Sequence, residues 1–302
     1  MKLIKPSVEY IPQIDLYKHI ELCARTCYKS EDRITEDSAQ KFVERLVNSN
    51  HLAMLEHGTI HAKCGSEQYK EIRDGNLDSD SDFWTVAHSP YSELVYHDHC
   101  NYLTTNYRVL FDLAAQDTEF SFNDFIANFQ CEPTVHHVKR YTLKFICDRG
   151  VSHELVRHRR MSFAQESQRY CNYSKDKFGG VSFIEPSWFN SKDSSSEQRE
   201  AFIQICQDSE ECYLKLLDSW DNKKPDRRFK TGFKGNPLTP QQARGVLPNA
   251  TKTEIIMTGF EDDWVNFMDL RLRGTTGKPH PDMRYIAQLA WNEFKDKLSL
   301  EL

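Results

Sequence analysis

Apolar residues recur at helical spacing early in the chain. Ile14, Leu16, Tyr17, Ile20, Leu22, Cys23 and Cys27 predict an amphipathic helix over residues 13–28. A second helix is predicted over residues 35–47, with Thr35 as N-cap and Phe42, Val43, Leu46 and Val47 turned inward. Residues 55–63 have strand character, entered from a short helix or turn. Residues 65–90 are polar and read as a surface insertion or ordered loop. Two helical patches follow, over residues 107–115 and 120–129. Residues 138–147 predict a strand that turns at Asp148, Arg149 and Gly150, after which Ser152 can cap a short helix.

In the second half, residues 181–184 predict a short strand stopped by Pro186. Residues 194–220 predict a long helix with Phe202, Ile203, Ile205, Cys206, Cys212, Leu214, Leu216 and Leu217 at its apolar positions. Residues 221–236 are basic and loop-like. Thr239 and Pro240 fit an N-cap and first helical position, and Pro248 ends that helix. A strand over residues 253–258 and helices over 262–271 and 281–298 complete the pattern. No internal repeat is present, and the order lacks a regular βαβ rhythm. The class expected is α+β, with helices packed on a mixed or antiparallel sheet. A single domain over 1–302 is expected, with an insertion at about 65–135.

Composition narrows the function classes. The net charge of −6 argues against a chain built to coat nucleic acid, so any anion site must be a local cluster of cations. No apolar run is long enough to span a bilayer, and the N-terminus lacks the pattern of a signal peptide, so a cytoplasmic location and no membrane partner are expected. The nine cysteines are odd in number and irregularly spaced, with no Cys-x-x-Cys pair. They predict buried thiols rather than a disulfide framework or a zinc ribbon.

One segment concentrates chemistry. Between Arg157 and Tyr170 lie Arg157, His158, Arg159, Arg160 and Arg169, interleaved with Ser162, Gln165, Ser167 and Gln168. A guanidinium fork fits phosphate bidentately. Ser167 adds a neutral donor, and Gln165 offers a donor and an acceptor suited to the edge of a pyrimidine or flavin ring. A basic run is more often a solvated helix face or a nucleic-acid patch. Here it directly follows an apolar strand and turn, and it mixes hydroxyl and amide groups into the arginines instead of alternating Arg with Glu.

Arg157-His158-Arg159, seven further residues, Ser167, one residue, then Arg169-Tyr170 resembles the signature of flavin-dependent thymidylate synthases. Glu56-His57-Gly58-Thr59 resembles that family's Glu-His segment, and Ala243-Arg244 with Leu247-Pro248 its Ala-Arg-x-x-Leu-Pro segment. Asn266-Phe267 and Leu270-Arg271 fall where the family keeps an Asn and a Leu-Arg. The resemblance runs in order from about residue 15 to residue 295, broken between about 65 and 135. It implies the thymidylate synthase-complementing-protein fold and a homotetramer with active sites at subunit junctions. It implies reductive methylation of dUMP to dTMP with FAD, NADPH and 5,10-methylenetetrahydrofolate. By the same resemblance Arg157, His158 and Arg159 hold FAD, with Arg157 also reaching the nucleotide. Ser167, Gln168 and Arg169 take the dUMP phosphate and sugar, and Arg244 joins from a neighbouring subunit. Arg271 meets the uracil ring and is the catalytic residue. His57, Thr59 and Asn266 line the flavin.

The family pattern is not matched everywhere. Many members carry Gln and Glu where this chain has Glu154 and Gln165, so one carboxylate and one amide are kept in exchanged places. With that exchange Glu154 is expected at dUMP, and Gln165 at dUMP and the flavin. Phe260 stands where some members have Asn. No cysteine is set in a basic, helix-N-terminal context, so no thiolate attack on uracil is expected. Arg271 instead stabilises negative charge on the ring; its plainer reading is an ion pair with Asp269 or Asp282. His97 and His99, with His88 and Cys64, match no standard metal spacing, and no metal is expected. Two rival functions share these residues. One is a flavin enzyme with a different outcome at C5, such as hydroxymethylation. The other is a non-catalytic nucleotide or nucleic-acid binder, which would take up no flavin and bind polynucleotide with steep salt dependence.

Overall fold

The computed structural model describes residues 1–65, 80–116, 119–218 and 238–298. The basic stretch 221–236 and most of the polar run after residue 65 lie outside them. The strands are β1 (Lys2–Ile4), β2 (Ser7–Tyr10), β3 (Thr59–Cys64), β4 (Glu93–His97), β5 (Cys100–Asn106), β6 (Arg140–Asp148), β7 (Ser162–Gln165), β8 (Ser182–Ile184) and β9 (Lys252–Phe260). The α-helices are α1 (Leu16–Thr26), α2 (Ser38–Asn48), α3 (Asp80–Ala87), α4 (Tyr107–Gln116), α5 (Phe122–Phe129), α6 (Arg149–Leu155), α7 (Ser196–Leu217), α8 (Pro240–Ala243), α9 (Glu261–Met268) and α10 (Pro281–Phe294). A four-stranded antiparallel sheet has the order β2-β6-β9-β7, and a three-stranded antiparallel sheet the order β3-β5-β4. β1 and β8 form a small parallel pair. The class is α+β.

The larger sheet has two unlike faces, because side chains alternate along β6 and β9. On one face Tyr141, Leu143, Phe145 and Cys147 of β6 and Ile255 and Met257 of β9 pack with Trp264, Phe267, Met283, Ile286 and Phe294 in a continuous apolar core. The other face carries Thr142 and Lys144 of β6 and Glu254, Ile256 and Thr258 of β9, and it meets α1. A second core lies under the smaller sheet, where Ile60, Ala62 and Leu103 pack with Phe83, Leu110, Phe125 and Phe129.

Several boundaries differ from the sequence expectation. α2 starts at Ser38, and the Thr35 amide bonds the Ser38 hydroxyl instead of Thr35 capping the helix. The helix after β6 is capped by Asp148, whose carboxylate accepts from the Val151 amide at 2.7 Å; Ser152 turns its hydroxyl back to the Arg149 carbonyl. Part of the expected loop over 65–90 is α3, which buries Phe83 and Val86 one turn apart. The hairpin β4–β5 escaped the pattern because the buried residues of β5, on both of its faces, include Thr104, Thr105 and Asn106, which read as polar. On α7 the buried residues are Cys206 and Tyr213, while Ile205 is 55% exposed.

Candidate active site

β6 and α6 deliver the arginine-rich segment. Arg157 and Arg159 lie just past α6, are exposed, and have no ion-pair partner among the described residues. Arg160 is engaged by Glu93 and Asp263. The chain then enters β7, a four-residue strand hidden in the motif, which joins the sheet beside β9.

Arg271 sits on a π-helical turn, Asp269–Arg273, that continues α9 and ends at Gly274 with φ 75°. Such single-turn bulges re-aim side chains relative to a regular helix. Arg271 Nη1 donates to Glu154 Oε2 at 2.7 Å, Nη2 to the Glu154 carbonyl at 3.2 Å, and Nε to His158 Nε2 at 3.2 Å. Three separately predicted residues thus meet. The partner of Arg271 is neither Asp269, which pairs with Arg273, nor Asp282, which accepts from the Ser187 amide. His158 is 8% exposed and packs edge-on to Phe267. Burial, then the Arg271 charge, pushes its pKa down to about 4, so it is neutral at pH 7 and its Nε2 can accept. Arg271 is therefore held as a fixed fork by one carboxylate, one carbonyl and one neutral imidazole.

A second group lies at the end of α1. The Ser167 amide donates to the Cys27 carbonyl at 2.9 Å, and Gln165 donates to the Thr253 hydroxyl at 3.2 Å. Gln168 is 7% exposed, and its amide nitrogen is buried without a partner among the described residues. Arg169 is exposed and lies 5.3 Å over the Tyr170 ring, which in turn approaches Tyr28 at 5.1 Å. Beneath them Glu166 accepts from Tyr173 and Lys252, and Glu254 is ringed by Lys29, Lys144 and Lys252. Those lysines overcome the burial penalty and hold the Glu254 carboxyl down to about 2. Arg244, half-buried on a 3₁₀ turn, lies near Arg149, whose pKa is lowered by burial and by that second cation.

The third group is set deeper. His57 is fully buried, with Nδ1 2.8 Å from the Thr258 hydroxyl. Burial, with His19 and Arg140 nearby, pushes its pKa down to about 3 against a small opposing pull from the Phe163 carbonyl. Thr59 accepts from Arg140 Nη1 at 3.1 Å. Asn266 is exposed on α9. Among the described residues, no hydrogen bond between side chains of the predicted site links these three groups. Arg149, Tyr28, Arg140 and Phe267 were not predicted. Arg149 was legible only as part of a turn, and Arg140 only as one more charge at the start of a strand.

In chemical terms, the exposed Arg169 guanidinium, with the Ser167 hydroxyl and the unused Gln168 amide beside it in the chain, can take a phosphate, and the Arg271 fork can stabilise negative charge on a ring. No helix among the described residues is long and apolar enough to cross a membrane. A family model described as "Thymidylate synthase complementing protein" matches residues 77–298. A protein of Corynebacterium diphtheriae named flavin-dependent thymidylate synthase is 32% identical over 123 residues, 41% of this chain and 45% of that protein. One of the same name from Geobacter sulfurreducens is 33% identical over 123 residues, 41% of this chain and 43% of its own. The chain thus spans somewhat under half the length of these relatives. The UMP/dUMP methylase PolB from Streptomyces cacaoi, solved with 5-Br dUMP, aligns over 98% of this chain and 93% of its own at 16% identity. The TM-score of that alignment is 0.44. The family match runs from before α3 to the end of the described C-terminus and takes in both the Arg157–Tyr170 motif and the Arg271 turn, and the chain belongs to the thymidylate synthase complementing protein family.

Proposed function

We propose that this protein converts dUMP to dTMP by reductive methylation at C5 of uracil. 5,10-Methylenetetrahydrofolate is the carbon donor, and FAD, recharged by NADPH, is the reductant. The observation that carries this reading is the Arg271 fork, clamped by Glu154 and His158 at the start of the arginine-rich motif. Reduced FAD, when bound, supplies the hydride. The residues fit such a group: Arg157 and Arg159 are exposed and have no carboxylate partner among the described residues.

Arg157, His158 and Arg159, with His57, Thr59, Gln165 and Asn266, make up the flavin set in this reading. Glu154, Arg157, Gln165, Ser167, Gln168 and Arg169 make up the nucleotide set. Arg271 stabilises charge that develops on the uracil, so no enzyme thiolate is required. Burial raises the thiol pKa of Cys171, the cysteine nearest the motif, to about 12, which suits a structural role. A homotetramer in the cytoplasm would bring Arg244 of one subunit to the phosphate pocket of another. That placement would join groups that lie apart in a single chain.

Purified protein is expected to be yellow and to show a perturbed flavin spectrum on titration with dUMP. A colourless protein that takes up no added FAD would overturn the proposal. Ser167→Ala is expected to raise the Kd for dUMP about tenfold, the cost of one charge-assisted hydrogen bond, with the Kd for FAD unchanged. Equal losses of both, measured by calorimetry, would contradict this division of roles.

A further inference from the structure

We propose that His19, Thr142, Thr258 and His57 form a buried relay that positions the Glu56–Thr59 segment for flavin, with Thr258 as its central positioning residue. The inference rests on the flavin role proposed above for that segment.

Thr142 and Thr258 face each other across the β6–β9 ladder. Their hydroxyls are 2.8 Å apart. Thr142 Oγ1 lies 3.1 Å from His19 Nε2 on α1, and Thr258 Oγ1 lies 2.8 Å from His57 Nδ1 on the 3₁₀ turn Leu52–His57. None of the four residues is more than 5% exposed. A valine pair would fill the same space without polar atoms, whereas a buried hydroxyl is unfavourable unless it is bonded. Here each hydroxyl lies between two partners, so the four side chains tie helix, two central strands and turn into one unit. Neutral imidazoles complete it: burial pushes His19 down to about 4 as it does His57 to about 3. His57 therefore acts by position, not by charge.

The segment it anchors is also gripped at Glu56, Gly58 and Thr59. Arg140, two residues before Thr142 on the same face of β6, donates from Nη2 to the Glu56 carbonyl at 3.0 Å and from Nη1 to the Thr59 hydroxyl. The Gln13 side chain pairs with both the amide and the carbonyl of Thr59, at 2.7 and 2.8 Å. The Gly58 carbonyl accepts from the Tyr107 amide at 2.8 Å, and a Cβ on Gly58 would come within 2.7 Å of Ile20 and Leu16. A turn that merely led into the edge strand β3 would need none of this; a segment that must hold a ligand surface to a few tenths of an ångström does.

The test uses the full chain. In Thr258→Val the Kd for FAD is expected to rise at least about tenfold, a loss of about 1.4 kcal/mol, while the Kd for dUMP changes less than twofold. Thr258→Ser is expected to restore FAD binding. The ¹⁵N resonances of His57 are expected to show one neutral tautomer in the parent and a changed tautomer balance in Thr258→Val. Thr142→Val, one step further from the turn, is expected to give a smaller change of the same sign, and it stands in if Thr258→Val does not fold. Parent-like FAD binding with unchanged His57 resonances would overturn the relay. So would equal losses of FAD and dUMP, which mark a merely structural role, or failure of Thr258→Ser to rescue. If the parent itself binds no flavin, the functional reading fails and the His57 resonances still decide whether the relay exists.

Discussion

Arg271→Ala is expected to lower the rate of dUMP turnover about 10²–10³-fold while the protein stays folded and FAD stays bound. The guanidinium is already oriented before ligand arrives, by two bonds to Glu154 and one to His158. A preoriented charge needs no rearrangement when negative charge develops on the ring, and its removal is felt chiefly in kcat. Stability should change little, because Glu154 is about one-third exposed and water can replace the arginine. Arg271→Lys should recover only part of the rate, since an ammonium cannot span Glu154 and His158 as a fork does. Single-turnover kinetics with flavin absorbance would separate these outcomes. Full activity in Arg271→Ala, or loss of FAD from it, would contradict the assigned role.

Lowering the pH below 6.5 is expected to destabilise the protein steeply. His19, His57 and His158 are buried, and their folded-state pKa values are lowered from 6.5 to about 4, about 3 and about 4. Below pH 6.5 the unfolded chain binds these protons while the folded chain resists them. Stability is thus fully present above 6.5 and falls as pH drops toward 4. Each group contributes up to about 1.4 kcal/mol per pH unit, so the three together amount to on the order of 5 kcal/mol by pH 5. That is comparable with the whole stability of a typical domain. Glu254 adds a second, lower window: its pKa is depressed from 4.5 to about 2, so its stabilisation is present above 4.5 and is lost as pH falls below that. Thermal unfolding measured between pH 7.5 and 4.5 should show a steep decline in Tm, less steep in His19→Asn. A Tm that is flat across this range would refute the buried neutral histidines.

The sequence made some layers legible and hid others for physical reasons. Long periodic stretches such as α7 and the strand β6 stood out because many residues repeat one pattern. β7 did not, because four residues inside an arginine-rich motif carry too little periodicity, yet Ser162 and Ala164 are buried against β9. Composition drew out the arginine-rich cluster, and its resemblance to the family signature singled out Arg157, Ser167 and Arg169 within it. Neither could show that Glu154, His158 and Arg271 would touch, since a contact between residues 117 apart depends on the packing of α9 and its π turn. The polar face of the central sheet was equally hidden. Threonines suit strands whether they face water or a buried imidazole, so the His19–Thr142–Thr258–His57 chain became visible only in three dimensions.

The measurement closest to the central claim is the mass of the product formed from dUMP by the purified protein with 5,10-methylenetetrahydrofolate, NADPH and FAD. The proposed site predicts dTMP, formed only when all four are present and lost in Arg271→Ala. Unchanged dUMP with every component present, or a hydroxymethylated nucleotide in place of dTMP, would contradict it.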